Sequence, residues 1–156
     1  MASWTGIVEA HPDFAGRGRE LFDVHKHKTL ATLRRDGSPR ISGTEISFVG
    51  DDIWFGGMWM SQKARDLRRD ARFALHGPTV EPDDKWKGDV KIAGTAEEVE
   101  DDEVKRKIAE GSGTGDMRYH LFRADISEMV ITSVAGNELQ IEVWKQGKGL
   151  SVVRRT

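Results

Sequence analysis

TLATLRRDGSPRISGTEISFVGDDIWFGGMWMSQKARDLRRDARFALHG, residues 29–77, is the stretch on which the fold turns. It opens on a strand, Thr29–Leu33, in which Thr29, Ala31 and Leu33 alternate with Leu30 and Thr32. Arg35-Asp36-Gly37-Ser38-Pro39 follows, and Asp-Gly is a strong hairpin signal because glycine accepts the positive φ such turns need. Arg40–Val49 reads as the second strand, and Gly50-Asp51-Asp52 turns the chain into a third, Ile53–Gly57. From Ser61 the period changes. Ala64, Leu67 and Ala71 fall at helical spacing with charge on the other faces, so a short helix precedes the next strand.

The start of that helix carries chemistry. Ser61 stands where an N-cap belongs, with its hydroxyl available to the free N–H groups of the first turn. Ser61-Gln62-Lys63 places a hydroxyl, an amide and a cation at the positive end of a helix dipole, just after the Gly56-Gly57 strand end. Together these groups suit a phosphate. The same residues also fit a capped surface helix with a solvated lysine, and spacing alone does not choose between the two.

Outside this block, composition sets bounds. The chain has 156 residues, 37% hydrophobic and 32% charged, which describes one globular domain with a real core. A formal net charge of −2 argues against nucleic-acid binding as the main task. No apolar run approaches the roughly 18 residues of a membrane span, and no signal-peptide core is visible, so the expectation is a cytoplasmic protein without membrane partners. The absence of cysteine excludes disulfides, thiol catalysis and thiolate metal sites.

Met1–Pro12 shows no clean period and reads as an arm or extra strand, and Asp13 as the cap of a helix running to about Lys28. Gly16 and Gly18 weaken that helix by roughly 1 kcal/mol each against alanine. His25-Lys26-His27-Lys28 invites a metal reading, but residues two apart on a helix diverge and no third ligand stands at a suitable spacing. A solvated helix end, with cations at the negative pole of the dipole, is the expectation. After the excursion at 77–84, strand character returns over Trp86–Ala96, with Gly94 marking a bulge or a barrel bend. The acidic run Glu97–Glu103 leads from a strand end into a helix over Asp102–Glu110 and lacks the pattern of a calcium loop. Gly111-Ser112-Gly113-Thr114-Gly115 follows a helix instead of opening one, so it reads as a mobile surface loop and not a phosphate cradle. Strands at Arg123–Val134 and Glu138–Lys145 come last, joined by Ala135-Gly136-Asn137, before a short basic tail.

About six or seven mostly antiparallel strands linked by glycine turns, with two or three short helices, favour a small β-barrel over a doubly wound sheet. No repeat or linker divides the chain, which leaves one domain spanning residues 1–156.

The order TLATLRRDGSPRISGTEISF, DDIWFGG, SQKARDLRRDARFAL resembles the pyridoxamine 5′-phosphate oxidase-like superfamily of flavin-binding split β-barrels, and LFRADISEMVITSVAGNELQIEVWKQGKGL fits its closing strand pair. The likeness spans roughly residues 14–150. It implies a homodimer with two cofactor sites at the subunit interface, holding FMN or the deazaflavin coenzyme F-420. By the same resemblance, Ser61, Gln62 and Lys63 match the phosphate-binding segment. Arg40, Ser42, Gly43 and Thr44 lie on the strand that meets ring and phosphate, and Phe55, Gly56 and Gly57 border the ribityl chain. Trp59, in the loop before the phosphate motif, is expected to form a pocket wall. The chain departs from the vitamin B6 oxidases at its end, where Trp144, Lys145 and Lys148 stand in place of their arginine and histidine pair.

A flavin or deazaflavin carries the redox chemistry, so the protein need only anchor, orient and shield it. His76 and His120 are candidate proton donors or satisfied structural histidines, and Glu45 should point away from the ring. Trp54 and Trp144 could stack on a planar ligand or pack in the core or a dimer interface. Three functions remain open. One is an oxidoreductase moving a hydride between FMN or F-420 and a small planar substrate. The second is a flavin or haem binding or storage protein. The third is a structural dimer with a vestigial site, which Ser61, Lys63 and Gly56-Gly57 argue against. Arg65, Arg68 and Arg69 could serve the acidic tail of F-420, which tilts the cofactor choice that way.

Overall fold

The computed structural model describes residues 2–112 and 118–156. Two helices come first, α1 (Trp4–Ala10) and α2 (Pro12–Asp23). Then follow β1 (Lys28–Leu33), β2 (Pro39–Thr44), β3 (Ile46–Val49), β4 (Asp52–Met58), α3 (Gln62–Arg69) and β5 (Arg72–His76). The chain continues through β6 (Asp89–Glu98), α4 (Asp102–Ser112), β7 (Tyr119–Ala135), β8 (Glu138–Lys145) and β9 (Gly149–Arg155).

One antiparallel sheet runs β2-β1-β5-β6-β7-β4-β3, and β8 and β9 extend it from β7. The two ends of that path, β2 and β3, are neighbours in sequence, separated by Glu45 alone. A flat sheet cannot place its opposite edges one residue apart, so the sheet is rolled into a barrel with its seam at Glu45. Sequence alternation runs on through residues 40–49 and suggested one strand. The strand is broken because residues 39–44 pair with β1 while residues 46–49 pair with β4.

The barrel interior holds the core. Leu30, Ile53, Phe55, Leu75, Ile92, Phe122, Ile126 and Met129 are all buried, with Phe55 ringed by Phe73 and Phe122. Trp4, Ile7, Phe14 and Phe22 cap this core from α1 and α2. Arg17 fixes α2 to β8 through a bidentate pair with the buried Glu142, at 2.7 and 2.6 Å. A smaller cluster of Trp54, Ile108 and Leu121 seats α4 on the outer face of β4 and β7.

Several expectations change. The N-terminal arm is a helix, because Ser3 Oγ caps it at Gly6 N–H and Trp4 and Ile7 share its buried face. The second helix starts at Pro12 with His11 as its cap residue, and it ends at Asp23, so His25–Lys28 is no helix end. Gly18 belongs in α2 because a Cβ there would stand 2.0 Å from Met129 Cε. The basic tail is β9, paired with β8 from Gly149 to Arg155. The described residues therefore hold nine strands and four helices, more than the count read from turns. Gly94 does mark a bulge: the β6–β7 register shifts there, and a Cβ would stand 1.9 Å from the Asp125 carbonyl. Gly111 and Ser112 finish α4, while Gly113, Thr114 and Gly115 of the expected loop lie outside the described residues.

Candidate functional site

Beside the barrel seam lies a cleft of about 430 Å³. Its walls come from both sides of the seam, Gly43 and Thr44 on one and Ile46, Ser47 and Trp54–Met58 on the other, with Tyr119 and Leu121 of β7 and Ile108 and Gly111 of α4. A size of this order suits an organic cofactor or a small ligand. The wall is apolar where Trp54 (Nε1–H donating to the Val49 carbonyl, 3.1 Å) packs with Ile108 and Leu121, and charged at its edges.

Lys63, in the first turn of α3, enters this cleft. Its Nζ donates to the Gly43 carbonyl at 3.1 Å and approaches Thr44 Oγ1 at 3.5 Å. No carboxylate among the described residues lies within 4 Å of it, and burial pushes its pKa below the ordinary lysine value, against the opposing pull of Glu45. A partly desolvated ammonium without a counter-ion attracts an anion. Ser61 is the residue before α3, but its hydroxyl caps nothing. That Oγ is buried without a partner among the described residues, 3.0 Å from where a Cβ on Gly57 would stand. The Gly57 Cβ would also meet Lys63 Cε at 3.4 Å, so glycine keeps the space beside both groups open.

The structure thus gathers Gly43, Thr44, Phe55, Gly56, Gly57 and Lys63 on one cleft, with Ser61 behind Gly57. It separates the others. Arg40 and Gln62 line a neighbouring basin with Arg34, Arg35, Arg65, Arg68 and Arg69. Arg40 Nε is held there by Asp66 at 2.7 Å. Ser42 lines neither concavity. Trp59 does not line the cleft: the Arg118 guanidinium stands 3.5 Å over its ring and His120 stacks on it at 4.4 Å and 6°. Trp144 is buried in the core.

Glu45, expected to point away from the ring, lines the cleft. It sits at the seam where the strand partner changes, and Lys26 Nζ lies 3.7 Å from its Oε1. His76 Nδ1 lies 2.6 Å from the Gly77 carbonyl, as a structural histidine would. His120 is buried, with Nδ1 2.6 Å from Glu98 Oε1 and Nε2 unpartnered among the described residues. The sequence reading missed Lys28, Tyr119 and Arg118 as cleft residues. For Lys28 a signal existed: it shares the face of Leu30, the buried face of β1.

A rolled antiparallel sheet, split at one seam and carrying a ligand-sized cleft beside it, is the architecture of a split β-barrel. A profile of the pyridoxamine 5′-phosphate oxidase family matches residues 17–132, and the chain belongs to that family. No curated protein matches the chain. Among solved structures, PhzG from Burkholderia lata 383, in complex with tetrahydrophenazine-1-carboxylic acid, superposes with a TM-score of 0.68 at 17% identity, over 94% of this chain and 93% of its own. HutZ, the haem storage protein from Vibrio cholerae, gives 0.55 at 19% identity over 73% and 87%. A haem binding protein from Mycobacterium smegmatis gives 0.56 at 15% identity over 88% and 86%. At such identities the likeness is one of fold. Among the described residues, no helix is long and apolar enough to cross a membrane.

Proposed function

We propose that the chain is an oxidoreductase of this family, moving a hydride between F-420 or FMN and a small planar organic substrate. The uncompensated Lys63 ammonium beside the unpartnered Ser61 hydroxyl carries this reading. These groups fit a cofactor phosphate, with Gly56 and Gly57 allowing its chain to approach the backbone. Trp54 and Tyr119 are the flat walls available to a ring, and Ile108 of α4 would keep water from one side of it. The bound cofactor supplies the hydride chemistry; the protein anchors, orients and dries.

F-420 is favoured over FMN by the adjoining basin of about 940 Å³. Arg68 is paired with Glu98, and Arg40 and Arg69 with Asp66, but Arg35 and Arg65 have no ion-pair partner among the described residues. Free guanidiniums beside the phosphate position suit an acidic tail. The working unit is proposed to be a homodimer with the cleft at its interface. Ile41, Met58, Trp59 and Met60 support that, since they leave apolar surface exposed near the seam.

Parallel absorbance and fluorescence titrations with F-420, FMN, riboflavin and haemin test the reading, with light scattering for the oligomer. Micromolar binding of F-420 or FMN is expected. Replacing Ser61 and Lys63 together with alanine should weaken it roughly tenfold or more. Riboflavin, which lacks the phosphate, should be indifferent to the replacement. Binding of haemin alone would move the chain to the haem-storage reading, and unchanged F-420 and FMN affinity would remove the phosphate assignment.

A further inference from the structure

Lys28 is unusual for a lysine. It opens β1, is only 7% exposed, and lines the cleft. Its Nζ donates to the His25 carbonyl at 2.7 Å and the Lys26 carbonyl at 3.0 Å, which leaves one of three protons unused. No carboxylate among the described residues lies within 4 Å of it. Burial pushes its pKa below the ordinary lysine value, against weaker pulls from Asp23 and Glu45.

Lys28 and Lys63 flank one residue. Lys28 is the cross-strand partner of Thr44, and Lys63 reaches Thr44 Oγ1. Among the described residues lining the cleft, four cationic side chains stand against one carboxylate, Glu45, which is itself drawn to Lys26. One phosphate at Lys63 satisfies one of the two desolvated ammoniums. The other lines the same cleft as Trp54 and Ile108, which pack together as an apolar wall.

We infer that Lys28 is a second anion-recognition point of the cleft, built to take the carboxylate of a small planar aromatic acid. The inference rests on the proposed use of the cleft as a cofactor and substrate site, and it names the substrate class. The apolar wall receives the ring face, and the last Lys28 proton receives a carboxylate oxygen. A neutral isostere would leave that ammonium unpaired, so the selectivity is for charge.

The test measures binding of benzoate and benzamide to the wild-type chain by calorimetry, then repeats it with Lys28→Met and Lys28→Arg. FMN and riboflavin are titrated against each protein. Benzoate is expected to bind at least about tenfold tighter than benzamide, and Lys28→Met should abolish that preference. Lys28→Arg should keep it, and FMN and riboflavin affinities should stay within about twofold in both variants. Equal binding of benzoate and benzamide to the wild-type chain would overturn the inference, even if Lys28→Met fails to fold. So would a Lys28→Met variant that weakens FMN but not riboflavin, since Lys28 would then serve the phosphate. Failure of the wild-type chain to bind F-420 and FMN sinks the cofactor reading, while the benzoate comparison still decides Lys28.

Discussion

Asp66→Asn should cost the fold about 2–3 kcal/mol at neutral pH. Asp66 is 1% exposed and holds three donors. Oδ2 accepts from Thr32 Oγ1 and Arg40 Nε, both at 2.7 Å, and Oδ1 accepts from Arg69 Nη2 at 2.9 Å. An amide of the same shape offers one acceptor, turns an N–H toward a donor and removes the charge facing two guanidiniums. Removing one member of a fully buried pair costs about 3–5 kcal/mol. The Arg40 and Arg69 side chains keep 21% and 33% of their exposure and can rehydrate, which lowers the figure. For a chain of this length the melting temperature should fall by roughly 5–10 °C.

Acid supplies an independent check. Burial raises the Asp66 pKa, but the hydrogen bonds from Arg40, Thr32 and Arg69 outweigh it, so the folded-state value lies below the ordinary 3.8. A carboxyl depressed in the folded state contributes its full stability above the unfolded value and loses it as pH falls toward the folded one. Urea unfolding of both proteins should therefore show a constant gap above about pH 5 that narrows below about pH 4. A gap under about 0.5 kcal/mol at pH 7, or one that does not narrow on acidification, would refute the network as drawn.

Gly94→Ala should destabilise by about 3 kcal/mol or more, because the new methyl meets the Asp125 carbonyl carbon at 2.9 Å and its oxygen closer still. Gly16→Ala, on an exposed turn of α2 with nothing within 4 Å, should instead stabilise by about 0.5–1 kcal/mol, and chemical denaturation of the pair reads both signs. Gly57→Ala should leave the melting temperature nearly unchanged yet weaken FMN about tenfold, because its methyl takes the space beside Ser61 Oγ and Lys63. An FMN affinity equal to wild type would show that this space is not used.

Elements set by local chemistry were legible in the sequence. The hairpin at Asp36-Gly37 has Gly37 at φ 85°, the bulge falls at Gly94, and α3 begins one residue after Ser61. What escaped was set by partners distant in sequence. Nothing local to Glu45 says that the chain leaves β1 for β4 there, and Glu45 lines the cleft at that exchange. Lys28 looked like part of a solvated basic run because its role depends on Thr44, across the hairpin. Trp59 sits where a pocket wall was expected, but Arg118 and His120 arrive from the far side of the chain to pack on it. In α1 the signal was present in Ser3, Trp4 and Ile7, but seven residues are too few for periodicity to stand out.

The length of β7 has a kinetic consequence. Its seventeen residues pair with β6, β4 and β8, and its contact with β4 joins Trp54 to Arg123 across α3, β5, β6 and α4. Closing so large a loop is slow and is rewarded only once the intervening strands are in place. We predict that the cleft walls on β4 and β7 meet late in folding, after the transition state. A ligand that needs both walls cannot speed that search. Its stabilisation falls on the unfolding rate, so a saturating ligand should lower the unfolding limb of a chevron plot and leave the refolding limb where it was.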